Sequence, residues 1–125
     1  MKTIIERIAV AVSMIWNMYI VAGVVLGASY ALHRAAGGQF TSFPMSIRIS
    51  YVVTFAILVW QAVVYVRFTR GMSVNPAWAV KVLFYVEAAS FLVNVLSRSS
   101  LERWNAIPAG IVAYVFFRQW QATKA

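Results

Sequence analysis

Residues Ala77–Leu96 read AWAVKVLFYVEAASFLVNVL. About twenty mostly apolar residues at ~1.5 Å each make a helix of ~30 Å, the thickness of a bilayer's hydrocarbon core. Glu87 stands near the midpoint of that run. A carboxylate at that depth costs several kcal/mol, so it is expected to face the interior of a helix bundle and to find a partner there. Ser90, Asn94 and Ser97 follow Glu87 at helical spacing and extend it into a polar seam along one face. Lys81 precedes Glu87 by ~240° of rotation at 100° per residue, which rules out a pair within the helix. Its expected role is to snorkel to the nearer interface.

The rest of the chain has the same character. Of its 125 residues 62% are hydrophobic and 11% charged, and the mean hydropathy is +0.76, outside the range of soluble domains. A soluble fold of this length has too little interior to hide so much apolar surface, so residues 1–125 read as a single transmembrane domain. The formal charge is +8 and the pI about 10.5, but the lysines and arginines are scattered singly rather than gathered on a polar face. That pattern fits interface anchors and lipid headgroup contacts, not nucleic acid. There is no cysteine, which excludes disulfides, thiol catalysis and thiolate metal sites. The opening MKTIIERIAVAVSMIW imitates a secretory signal. Its apolar run continues for about twenty-five residues, longer than a signal core, and is read as an uncleaved first membrane helix.

Four spans are expected, at about 8–32, 47–68, 77–96 and 100–120, and they make an all-α integral membrane protein, an antiparallel four-transmembrane-helix bundle. In the first, Gly23 and Gly27 form a G-x-x-x-G step that lets another backbone approach closely, within the bundle or across a homodimer. His33 to Ser46 contains Gly37, Gly38 and Pro44 and reads as a loop. The second span carries Ser50, Thr54, Gln61 and Tyr65 on one face. Asn75 is placed to cap the third span, with Pro76 in its first turn. Ser99 and Glu102 have the spacing of a capping box before the fourth, which Pro108 is expected to bend. Trp104 and Trp120, ~24 Å apart on one helix, suit the two interfacial belts. Lys2, Arg7, Arg67, Arg70, Arg118 and Lys124, with Lys81 close by, fall at the end that holds the termini; Arg34, Arg48, Arg98 and Arg103 fall at the other. The excess places both termini in the cytoplasm, in a bacterial plasma membrane.

Counting ~1.5 Å per residue from the centre of each span brings Asn17, Gln61, Glu87 and Tyr114 within about one helical turn of a common level. Each helix thus offers one hydrogen-bonding group to a midplane layer, with Asn94 further along the seam. Two roles fit such a layer. It can lock the register of the bundle, with Glu87 carried as the neutral acid among neutral partners. Alternatively Glu87 binds and releases a proton or a cationic substrate as access alternates between the two sides. Arg34, Arg48, Arg98 and Arg103 are candidates for anionic headgroups. His33, the lone histidine, reads as an interface anchor, since metal or haem needs more ligands. Aspartate is absent, and Glu6 and Glu102 lie near helix ends, so paired-carboxylate catalysis is not expected. No phosphate loop, dinucleotide fingerprint or nucleophile elbow is present, and no enzyme activity, metal or cofactor is expected.

In span number, length and possession of an intramembrane glutamate the architecture is similar to that of small multidrug-resistance transporters. Those proteins carry their glutamate on the first helix, where this chain has Asn17 and no acid, so the likeness stops at architecture and no residue role is carried over. Two functions remain in view. One is a non-enzymatic accessory component working through helix contacts, with lipids, further copies of itself or a larger membrane protein as partners. The other is a small proton- or cation-coupled transporter built around Glu87. The first implies a dry, closed core; the second implies a cavity that reaches Glu87.

Overall fold

A computed structural model describes residues 2–32, 34–35, 40–74, 76–97 and 99–123, with the side chains of Lys2 and Thr3 excepted. Among these the chain is all-helical. Four main helices, α1 (Lys2–Leu26), α2 (Met45–Thr69), α3 (Ala79–Val95) and α5 (Ala106–Thr123), are joined by a 3-10 turn at Ser29–Ala31 and a single-turn helix α4 (Ser100–Arg103). Two stretches, Ile4–Leu26 and Met45–Thr69, are long and apolar enough to cross a membrane. The shorter α3 and α5, of 17 and 18 residues, span about 25–27 Å at 1.5 Å per residue.

Helix α1 starts earlier and stops earlier than the 8–32 expected, and its end has a local cause. Gly27 takes φ +69°, a left-handed conformation that glycine adopts without a Cβ clash. Ala28 N–H then reaches the Gly23 carbonyl at 2.8 Å and Gly27 N–H the Val24 carbonyl at 3.0 Å, the double closure of a Schellman motif. Gly71, at φ +71°, ends α2 in the same way, with Met72 N–H on the Arg67 carbonyl at 2.9 Å. The expected continuous fourth helix is broken at Trp104 and Asn105. Ser99 does cap α4, its hydroxyl accepting the Glu102 N–H at 3.2 Å. Pro108 sits in the first turn of α5 and has no N–H to offer the Trp104 carbonyl, which takes Ile107 N–H at 3.2 Å instead. Asn75 lies outside the described residues, and α3 begins at Ala79, after Pro76 rather than around it.

The helices run up and down in turn. Glu6 near the start of α1 pairs with Arg118 near the end of α5, and Arg48 Nε at the start of α2 donates to the Val25 carbonyl at the end of α1 at 2.9 Å. The end holding Glu6, Thr69, Ala79 and Arg118 is the terminal end; the other is the distal end. Helix α1 packs on both α2 and α5, and α3 packs on α5, whereas α2 and α3 touch little. At the terminal end Val10, Met14, Val64, Leu83, Val112 and Phe116 share one core. A smaller distal core joins Ile20 and Val24 to Ala31, Ala35 and Phe43. A buried amide pins the distal connection. Asn105 Oδ1 accepts from Trp16 Nε1 at 2.7 Å while its Nδ2 donates to the Arg34 carbonyl at 2.8 Å.

The outward faces are as apolar as the inward ones. Ile8, Val12 and Ile15 of α1, Ile49 and Val53 of α2, Leu92 of α3 and Ile107 of α5 are all more than half exposed. Helices apolar all round belong in lipid or inside a larger assembly.

Candidate functional site

Because α2 and α3 converge only toward the terminal end, they leave between them a cleft of about 680 Å³ that starts at the distal end and reaches Glu87. The expected seam of α3 lines it, with Glu87, Ser90, Asn94 and Ser97 all facing the cleft. Tyr51 and Thr54 of α2 stand opposite, and Asn17 with Ile20 and Val21 of α1 form the back wall. Arg34 lines the distal part, its guanidinium 5.4 Å from the centre of the Trp16 ring, and Glu102 and Asn105 lie at the same level.

At the deep end Gln61 Nε2 donates to Glu87 Oε1 at 2.6 Å. Gln61 is 0% and Glu87 2% exposed. Among the described residues, Glu87 Oε2 and Gln61 Oε1 have no hydrogen-bond partner. Both orphan atoms are acceptors, and a buried acceptor without a donor is costly. One proton on Glu87 Oε2, directed at Gln61 Oε1, would close a reciprocal acid–amide pair and serve both atoms. A ligand bringing an N–H or O–H donor down the cleft would meet Glu87, which lines it, with Gln61 behind. Beneath the pair the path is closed by Val64, Leu83, Val112 and Phe116, none more than 2% exposed. The cleft therefore stops at this layer and does not continue to the terminal end.

Of the residues expected at one level, the structure brings Gln61 and Glu87 into contact and sets Asn17 on the wall of the same cleft. Asn94 turns back on its own helix, donating to the Ser90 carbonyl at 2.8 Å and Ser90 Oγ at 3.2 Å. Tyr114 departs from the layer. It is 61% exposed on the outer face of α5, under the guanidinium of Arg118 at 5.8 Å. Ala109, Val112, Val115, Phe116 and Gln119 fill the inward face, which leaves position 114 pointing the opposite way.

The glycine step works inside the chain. A Cβ on Gly23 would lie 2.6 Å from the Tyr30 ring, which stacks on Tyr19 with centroids 4.3 Å apart and donates its hydroxyl to the Tyr19 carbonyl at 2.8 Å. Gly27 ends the helix rather than packing another one. Arg48 is engaged with the Val25 carbonyl and Arg103 is exposed. Arg98 and His33 lie outside the described residues, as does Lys124 from the count of terminal-end charges. Lys81 stands 5.5 Å over the Trp120 ring, on the outside of the bundle.

Sequence reasoning passed over two buried amides, Asn105 just before α5 and Gln119 near its end. Neither stands alone in an apolar run as Gln61 does: Asn105 follows Glu102 and Arg103 in the break between α4 and α5, and Gln119 lies between Arg118 and Gln121. Among the described residues no group of three or more histidine, cysteine or acidic side chains gathers to hold a metal. No protein-family model, no curated protein and no solved structure matches the chain.

Proposed function

We propose that the chain is a four-span membrane bundle with both termini in the cytoplasm, and that it works as a small proton- or cation-coupled transporter whose binding group is Glu87. The membrane placement is supported by the two long apolar helices and by the apolar side chains covering every outward face. Arg7, Arg67, Arg70 and Arg118 lie at the terminal end against Arg34, Arg48 and Arg103 at the distal end, which supports the orientation. Helices of 25–27 Å fit a bilayer core with slight thinning or with flanking residues such as Trp78 and Leu96 completing the span.

The observation that carries the functional reading is the cleft that runs from the distal end to Glu87, a buried carboxyl with one unpartnered oxygen among the described residues. An accessory component acting through helix contacts calls for a closed interior. Here polar side chains line an open route from the distal end to a carboxyl at mid-depth, and an apolar plug lies beyond it. That is the geometry required of one state in an alternating-access cycle. Glu87 holds a proton or cation taken from the distal side, Gln61 fixes the carboxyl, and Ser90, Asn94 and Asn17 keep the route wet.

The test is proton-coupled flux in liposomes. Glu87→Gln is expected to abolish flux while the protein remains folded. Wild-type flux in the variant, or no flux from either protein, contradicts the reading.

A further inference from the structure

A second pair of orphaned polar atoms lies on the far side of the plug. Tyr65 and Gln119 are each 7% exposed, and among the described residues neither Tyr65 Oη nor Gln119 Oε1 has a hydrogen-bond partner. Both residues line a pocket of about 310 Å³ at the terminal end, together with Glu6, Arg7, Thr69 and Arg118. A hydroxyl and an amide oxygen placed there only to hold helices together would bond to each other or to a neighbour. Instead neither does so, and the two residues line a pocket with room for several waters, each of which takes about 30 Å³ of liquid volume. The two oxygens lie buried behind its surface, where water reaches them only when the packing opens.

The position of the pocket matters as much as its contents. Tyr65 is one helical turn from Gln61 and Thr69 one turn further, so Thr54, Gln61, Tyr65 and Thr69 descend a single side of α2 from the distal cleft to the terminal pocket. Only the apolar layer of Val64, Leu83 and Phe116 interrupts this polar column, at the level where the cleft ends. The charged groups around the pocket are Glu6 and Arg7 from α1 and Arg118 from α5, with Glu6 already paired to Arg118. From α3, the ionisable Lys81 is turned outward over Trp120, leaving Glu87 as the acid above the plug.

We propose that the Tyr65–Gln119 pocket is the exit half of the proton path, holding the water that receives a proton from Glu87 when the plug opens. This rests on the transport reading of the cleft. In the step, the Oε2–H bond of Glu87 breaks and its electron pair stays on the carboxylate. A water held between Tyr65 Oη and Gln119 Oε1 gains that proton and passes one on to solvent at the terminal end. Nothing is oxidised or reduced, and one proton crosses per cycle.

The experiment compares proton flux in liposomes for wild type, Glu87→Gln, Tyr65→Phe and Gln119→Leu, with melting temperature and the infrared carboxyl band of Glu87 measured on each. The Glu87 band is identified as the one missing from Glu87→Gln. The inference expects flux at least tenfold lower in Tyr65→Phe and Gln119→Leu, with the Glu87 band and the melting temperature kept, because among the described residues neither Tyr65 Oη nor Gln119 Oε1 bonds to another group. Wild-type flux in both variants, beside a dead Glu87→Gln, overturns the exit pocket and leaves the transport reading standing. Absent flux in the wild type overturns both. A lower melting temperature or a lost Glu87 band in either variant shows a structural role and also overturns the inference.

Discussion

The acid–amide pair at the deep end of the cleft makes a quantitative prediction about stability. Replacing Glu87 by leucine leaves the Gln61 carboxamide stranded with neither its donor nor its acceptor served, at a cost of about 1–3 kcal/mol. Gln61→Leu strands the carboxyl at a similar cost. The double variant removes both groups and fills the space with apolar side chains, so it should lie within about 1 kcal/mol of wild type. The resulting coupling energy is at least about 1 kcal/mol and about 4 kcal/mol at the middle of these ranges, at or above the largest values found for polar pairs in membrane helices. Glu87→Gln is the informative single change. A glutamine keeps the oxygen that accepts from Gln61 Nε2 at 2.6 Å, and its own NH₂ can donate to Gln61 Oε1 in place of an acid proton. Its stability should stay within about 0.5 kcal/mol of wild type, since every bond of the reciprocal pair is retained. Thermal unfolding in mild detergent, followed by tryptophan fluorescence, resolves these differences at about 4 °C per kcal/mol for a domain of this size. If Glu87→Gln melts as low as Glu87→Leu, or if the double variant falls at the sum of the singles, the pair is not the reciprocal unit described here.

The chain has no cysteine, so single cysteines can map the cleft against a clean background. Thr54→Cys and Asn94→Cys should react with a membrane-impermeant maleimide added from the distal side, while Leu83→Cys and Val112→Cys in the plug itself stay protected; equal labelling of all four would rule out a cleft that stops at the plug. Gly27→Ala forces a Cβ into φ +69° against the Arg48 guanidinium, 3.3 Å away, and should cost about 1–2 kcal/mol in the same melting assay. Asn105→Ala strands the Trp16 indole N–H and the Arg34 carbonyl together, so a loss of about 2 kcal/mol and a shifted tryptophan emission are expected.

Glu87 was legible because an acid in the middle of an apolar run has few alternatives, and Gln61 was legible because it is the carboxamide on the polar face of its helix. Tyr114 was misplaced for the opposite reason. Its helix is apolar on nearly every side, so no amphipathic stripe fixes the rotation, and depth alone cannot say which way a side chain points. Gly27 reads equally as a packing glycine and as a helix stop, and the choice depends on a backbone angle the sequence does not display. The Trp16–Asn105 bond joins residues 89 apart, a separation no local pattern encodes. The cleft was invisible for a related reason: it arises from how two helices diverge, not from any residue that lines it.

That divergence links the binding group to the closure of the bundle. Helix α3 is held to α5 by small residues, with Ala79, Ala109 and Ala113 buried and Gly110 admitting the Phe91 ring to 3.2 Å of where a Cβ would stand. Helix α2 is held instead to α1. Where the cleft ends, α2 and α3 meet across the Gln61–Glu87 bond, and on its terminal side Val64 and Leu83 complete the seal. Any event that changes the hydrogen bonding of Glu87, whether losing a proton to water or gaining a donor from a ligand, therefore acts on the contact that decides how far the helices separate. In the proposed cycle, loosening it lets α2 part from α3 toward Tyr65, and restoring it closes the seal. In that proposed transport cycle the residue that binds also times the opening, so a variant that keeps the bond without the proton, such as Glu87→Gln, should hold the protein in its distally open form.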